Sequence, residues 1–239
     1  MRHVKTQDLS WMVFEQLQTL PHAIFTGRWN LAQHSPAEPP DLTQRHTRIQ
    51  ELFHLNHLVT LHQVHGRALL YVDGESPAQC YGADGLMTDQ KGIGLLIQHA
   101  DCQCALFYDP LHHALANVHA GWRGSTLNIY AATIAALHAR FGTNPRDLLV
   151  SIGPSLGPNH AEFIHYEREL PTDFLPFKDA QHRFNFWQIS RMQLLSAGVL
   201  PEHIEIAGLC TVEHHELFYS YRGAGGTLIG ANGTVCALN

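Results

Sequence analysis

Apolar residues along this chain fall into short blocks and into longer stretches at helical spacing, and the two rhythms predict different elements. Leu42, Ile49, Leu52 and Phe53 recur at helical spacing and predict a helix over 41–55. The strongest helical pattern runs over 125–141, where Leu127, Tyr130, Ala131, Ile134, Leu137, His138 and Phe141 share a face. Ser125 stands in N-cap position and Gly142 marks the end. A third helix spans 186–197 and stops at Gly198. Short apolar blocks predict strands over 59–65, 68–72, 92–97, 104–108, 114–118, 148–152, 204–210 and 217–221. Between them, 76–82 reads as a loop, 34–40 with its three prolines as the most linker-like stretch, and the C-terminus as Gly-rich turns. The elements interleave without a strict βαβ rhythm, so the expected class is α/β (α+β), a mixed-sheet fold in one domain over 1–239.

Composition narrows the function classes. Of 239 residues, 45% are hydrophobic and 15% charged, enough for a substantial core. A formal charge of −6 argues against nucleic acid or a membrane surface as partner, since both select basic patches. No apolar run reaches the roughly 18 residues of a membrane span. Arg2, Lys5, Asp8 and Glu15 interrupt the first 18 residues in a way no signal peptide does, so the expected compartment is the cytoplasm. Five cysteines, an odd number, read as free thiols rather than a disulfide framework. With 19 histidines in the chain, a histidine alone says little, and His112-His113, His214-His215, His54 and His57 read as surface positions.

Three segments place a reactive side chain at the end of an apolar strand: Gln63-Val64-His65-Gly66, Ala100-Asp101-Cys102, and His119-Ala120-Gly121-Trp122-Arg123-Gly124. His65, Cys102 and His119 make a three-ligand set with an open fourth position, the pattern of catalytic zinc; the same donors also suit copper. A second reading makes Cys102 a nucleophile with His119 as its base. Spacing does not choose between these, nor from a buried cysteine with incidental histidines. Cys102 and Cys104 are two apart and would share a strand face, with Asp101 opposite, free to orient a histidine or cap a turn. Arg123, with a helix start near Ser125, suits an anion such as phosphate. Arg222, at the end of the 217–221 block, is a further cation for a ligand.

Together with Ala83-Asp84-Gly85, Ile152-Gly153-Pro154, Cys210-Thr211 and Phe218-Tyr219-Ser220-Tyr221-Arg222, these segments resemble the YfiH family of laccase-domain proteins over about residues 22–230. The resemblance implies stacked mixed sheets flanked by helices, related to cysteine hydrolases. It implies that His65, Cys102 and His119 converge on one metal, zinc with copper as the alternative. Implied activities are phosphorolysis of adenosine, inosine and methylthioadenosine, with adenosine deamination. Copper-dependent phenol oxidation and editing of cell-wall precursors are the alternatives. A multicopper oxidase needs more ligands than the one His/His/Cys set visible in the sequence. The expected roles are therefore Cys102, His119 and Asp101 in catalysis and Arg123, Ser125 and Arg222 on substrate or phosphate. The expected partners are a small-molecule nucleoside and phosphate, in a monomer or homodimer. The chain departs from the family at Gly27 to Leu31, where a Gly-Gly loop is shortened, and at Arg45-His46, Phe184-Asn185-Phe186 and Gly225 to Leu228.

Overall fold

A computed structural model describes residues 1–6, 9–27, 29, 31 and 42–239. The 34–40 stretch, Asp41, and Arg28 and Asn30 of the shortened loop lie outside the described residues. In chain order the elements are β1 (Arg2–Lys5), β2 (Ser10–Val13), β3 (His22–Phe25), α1 (Leu42–Phe53), β4 (His57–Gln63), β5 (Leu69–Tyr71), β6 (Gln79–Ala83) and β7 (Gly85–Thr88). There follow β8 (Ile93–His99), β9 (Gln103–Asp109), β10 (Ala114–Ala120), α2 (Trp122–Thr126), α3 (Ile129–Phe141) and β11 (Leu149–Ile152). The chain closes with α4 (Tyr166–Glu169), α5 (Phe186–Ser196), β12 (Ile204–Ile206) and β13 (Asn232–Cys236).

The strands form two mixed sheets, ordered β1-β2-β3-β13-β8-β4-β6 and β12-β11-β9-β10-β7-β5. Their inner faces meet in a core that includes Ile24, Leu61, Leu95 and Ile97 from the first sheet and Leu86, Leu106 and Leu115 from the second. Each such side chain, fully buried, contributes roughly 1.5–3 kcal/mol. The outer face of the second sheet, with Phe107, Val118 and Val150, is covered by Ile134 and Leu137 of α3 and Leu194 of α5. On the outer face of the first sheet, Phe25, Leu58 and Leu96 pack with Ile49 of α1. Buried Asn117 joins the layers: its amide donates to the carbonyls of Leu95 and Thr234 in the first sheet. Mixed sheets are what the residue pattern predicts, and their stacking between flanking helices is what the family resemblance implies.

Several local expectations change. The 125–141 helix does not start at Ser125, whose N–H already donates to the Gly121 carbonyl inside α2. The chain breaks at Asn128, which adopts φ 51° and caps α3 through its side chain on the Ala131 N–H. The offset leaves Leu127 exposed rather than on the core face. Residues 76–82 are not simply a loop, because β6 pairs in parallel with β4 at the sheet edge. The 204–210 block is a strand only over Ile204–Ile206. Residues 217–221 form turns, tied by reciprocal bonds between the Tyr219 backbone and the Asn232 side chain. The C-terminal segment predicted as turns instead contributes β13, a strand inside the first sheet between β3 and β8.

Candidate active site

The site follows from how the chain passes between sheets. β4 runs parallel to both β6 and β8, so all three end on the same edge of the first sheet. After each of them the chain crosses to the second sheet, leading to β5, β7 and β9. His65 lies on the first crossover, Asp84 on the second, and Asp101 and Cys102 on the third. His119, near the end of β10, reaches the same edge because β10 is antiparallel to β9 and pairs His119 with Cys104.

Asp84 organises this cluster. It is fully buried and accepts N–H bonds from His65 at 2.9 Å, Gly66 at 2.6 Å and Val64 at 3.3 Å. These contacts hold the crossover turn, in which His65 takes the left-handed φ of 59° that non-glycine residues seldom adopt. The same carboxylate takes the Nδ1 proton of His119 at 2.9 Å, which leaves Nε2 of that ring for the site. Burial pushes the Asp84 carboxyl up, but the bond to His119 and the backbone N–H groups of Gly66 and His65 outweigh it, leaving it below its ordinary value.

His65, Cys102 and His119 converge. One donor atom from each lies within 4.8 Å of the others, and the two imidazoles stand edge to face with centroids 4.9 Å apart. Burial raises the Cys102 thiol, yet the charge of His119 and hydrogen bonds from both imidazoles bring it down to about 6. His119 is shifted the other way: burial lowers it, while the Cys102 thiolate and Asp84 raise it to about 9. Neighbouring His99 is held neutral, lowered to about 3 first by burial and then by the charge of His119. A space beside the donors is kept open by Gly121, where a Cβ would stand 3.0 Å from Cys102 Sγ and 3.1 Å from His65 Cδ2. Two imidazoles, a thiolate and a cradle that a Cβ at 121 would crowd fit a borderline divalent ion.

Next to Cys102 opens a cleft of about 220 Å³. Its walls include Trp122, Phe163, Phe186 and Tyr221, with Asp101, Gln103 and Arg222 as the polar lining. The Gln103 amide is fixed from behind: its Oε1 accepts from the Tyr130 hydroxyl at 2.6 Å and from Ser190 at 2.7 Å.

The other expected residues are placed as follows. Asp101, at φ 81°, orients no histidine; its carboxylate accepts the hydroxyls of Thr211 and Ser220, both at 2.6 Å, and the Arg222 N–H at 2.5 Å. It therefore caps the turn that carries Tyr221 and Arg222. Arg222 lines the cleft and donates to the carbonyls of His160 at 2.7 Å and Glu162 at 3.2 Å. Arg123 is exposed and does not line the cleft; its guanidinium lies 4.2 Å over the ring of Trp122, which does. Ser125 does not reach the cleft: it is 1% exposed, and α2, beginning at Trp122, leaves its N–H already used. Cys102 precedes β9 rather than sharing its face with Cys104, whose thiol donates to Asn117 Oδ1 between the sheets. Asp84 was assigned no role from the sequence, although its Ala-Asp-Gly context is visible there. Of the aromatic walls, Phe163 and Phe186 carried no signal beyond ordinary apolar periodicity, whereas Trp122 and Tyr221 stand inside the motifs singled out in the sequence. Beside the one His/His/Cys set, His160, Cys210 and Glu213 form a second group of donors, which no sequence motif announced.

The family model described as multi-copper polyphenol oxidoreductase laccase matches residues 13–239. The chain belongs to this family. Within this laccase-type family, the purine nucleoside phosphorylase YlmD of Geobacillus stearothermophilus is 31% identical over 217 residues, 83% of this chain and 79% of that protein. A purine nucleoside phosphorylase of Bacteroides thetaiotaomicron is 35% identical over 154 residues, 61% of this chain but only 57% of the relative's length. The YfiH resemblance is borne out: purine nucleoside phosphorylase YfiH of Escherichia coli is 29% identical over 202 residues, 81% of this chain and 80% of that one. In fold, the chain superposes on YfiH of Bacillus licheniformis with a TM-score of 0.85 at 24% identity, covering 97% and 96% of the two chains. Among the described residues no helix is long and apolar enough to cross a membrane.

Proposed function

We propose that this laccase-type protein is a metal-associated purine nucleoside phosphorylase that also deaminates adenosine. The convergence of His65, Cys102 and His119 at the head of an aromatic cleft carries the reading. The names of the relatives, purine nucleoside phosphorylase in each case, support the phosphorolysis. Trp122, Phe163, Phe186 and Tyr221 offer apolar faces for a purine, and Arg222 in the lining with Arg123 over Trp122 offers cationic forks for phosphate. In phosphorolysis a phosphate oxygen bonds to the ribose anomeric carbon as the carbon–nitrogen bond breaks, and the base leaves with the electron pair and gains a proton. In deamination water adds to the purine and ammonia departs.

Zinc, with copper as the alternative, would be held by His65, Cys102 and His119, and when bound supplies a Lewis acid. Asp84 fixes the His119 tautomer so that Nε2 remains a donor atom. The Asp101 carboxylate positions the Tyr221-Arg222 wall through its three hydrogen bonds.

Product analysis of zinc-replete, copper-free protein with adenosine, with and without phosphate, tests the reading. Phosphate-dependent release of adenine and ribose 1-phosphate, lost in Cys102→Ala and His119→Ala, is the expected result. Inosine alone would leave a deaminase. No turnover of adenosine, inosine or methylthioadenosine would overturn the proposal.

A further inference from the structure

We propose that His160, Cys210 and Glu213 form a second zinc site, separate from the His65/Cys102/His119 set, that clips together two segments bonded to the cleft-lining Arg222 and Asp101. One donor atom from each of the three side chains lies within 4.8 Å of the others. Imidazole, thiolate and carboxylate form a donor set suited to zinc, with one position left for water.

Each donor is already positioned. Cys210 is 1% exposed, and its Sγ accepts the Gly157 N–H at 3.2 Å, which fixes the position of the sulfur. That approach requires glycine, because a Cβ at 157 would stand 2.8 Å from Cys210 Cβ and 3.0 Å from Sγ. The Glu213 carboxylate accepts from the Asn159 amide at 3.1 Å and faces His160 Nε2 at 3.4 Å. His160 is held by its own backbone: its N–H donates to the Gly157 carbonyl, and its carbonyl accepts from Arg222. A surface ion pair between His160 and Glu213 explains two of these groups. It does not explain a buried sulfur that receives a backbone N–H and lies within 4.8 Å of both donor atoms.

The location gives the site a purpose. The 157–160 loop is joined to Arg222 through His160, and the 210–213 turn is joined to Asp101 through Thr211. Both Arg222 and Asp101 line the cleft. A metal bridging the two segments would fix the wall without touching substrate, a structural role in which water completes the three protein donors.

Metal analysis of the full-length protein, loaded with zinc and then dialysed against metal-free buffer, provides the test. Wild type is expected to retain about two zinc ions per chain and the Cys102→Ala/His119→Ala double variant about one. Adding Cys210→Ala to that double variant is expected to remove the remaining ion. Glu213→Gln and His160→Ala, at more exposed positions, are each expected to lower wild-type occupancy towards one ion with an unchanged circular dichroism spectrum. With cobalt in place of zinc, the double variant is expected to show a thiolate-to-metal charge-transfer band that disappears with Cys210→Ala. A folded double variant with no zinc and no such band overturns the proposal. So does retained zinc that Glu213→Gln, His160→Ala and Cys210→Ala all leave unchanged.

Discussion

Replacing Asp84 by Asn tests whether one buried carboxylate both builds the crossover turn and aims His119. The substitution keeps size and removes charge. The native carboxylate accepts from His119 Nδ1 and from the N–H groups of His65 and Gly66, with a longer contact to Val64. Hydrogen bonds to a charged group contribute about 1.5–3 kcal/mol each. An asparagine retains one acceptor and turns its NH₂ towards the remaining donors, so about two such bonds are lost. Desolvation relief offsets part of that loss, as burial opposes the charge. The net cost is about 3–5 kcal/mol, the usual effect of breaking a buried charged network. At about 2–4 °C per kcal/mol for a chain of this size, the melting temperature falls by roughly 6–20 °C. Zinc affinity at the His65/Cys102/His119 site falls about 10–100-fold, because the His119 tautomer is no longer fixed. Calorimetry of the metal-free protein and chelator competition read the two effects separately. The Asp84 pKa lies below its ordinary 3.8, so its contribution is complete above 3.8 and is lost as pH falls through the folded value. An Asp84→Asn protein with wild-type melting and wild-type zinc affinity would refute the reasoning.

Gly121→Ala places a methyl group against Cys102 Sγ and His65 Cδ2, and is expected to cut zinc affinity at least about tenfold while costing about 1–3 kcal/mol of stability. Chelator competition checks it, and unchanged affinity would show that the cradle does not matter. In metal-free protein, alkylation of Cys102 is expected to rise with pH around 6 rather than near 9.0, read by iodoacetamide kinetics against Cys102→Ala. Because the Cys102 pKa is depressed, its stabilising contribution is complete above 9.0 and is lost as pH falls towards about 6. The raised His119 contributes fully below 6.5 and is lost as pH rises through about 9, so both charges coexist only between about 6 and about 9. Urea titrations across that range read the two opposing trends. Asp101→Asn is expected to raise KM for nucleoside about tenfold with kcat held within about twofold, because it loosens the Tyr221-Arg222 wall; a collapse in kcat at constant KM would place Asp101 in the chemistry instead.

How far the chain announces its own structure differs by level. Helix α1, the greater part of α3, and the buried strands β8 to β11 could be read directly because their apolar periodicity is local. The break at Asn128 could not, since a left-handed residue capping α3 leaves the apolar rhythm almost unchanged. β13 looked like Gly-rich turns because its glycine and small residues are stabilised by neighbours on both sides rather than by intrinsic preference. The 217–221 block failed in the opposite sense: its aromatic content suits a strand, but Asp101 and Asn232 capture its backbone and hydroxyl groups from remote parts of the chain.

By itself the sequence determined the chemical inventory. It supplied histidine and cysteine donors at the ends of apolar segments, an arginine between glycines, and free thiols in an acidic chain. These are properties of residue type and near neighbours. Only the tertiary structure decided which of them meet. Parallel pairing of β4 with β6 and β8 brings three crossovers to one edge, and so assembles His65, Asp84 and Cys102 with His119 from β10. It also made Asp84 rather than Asp101 the partner of His119, and it set Ser125 behind the cleft. Side-chain direction and the pairing of remote buried charges depend on strand register, which no local pattern encodes.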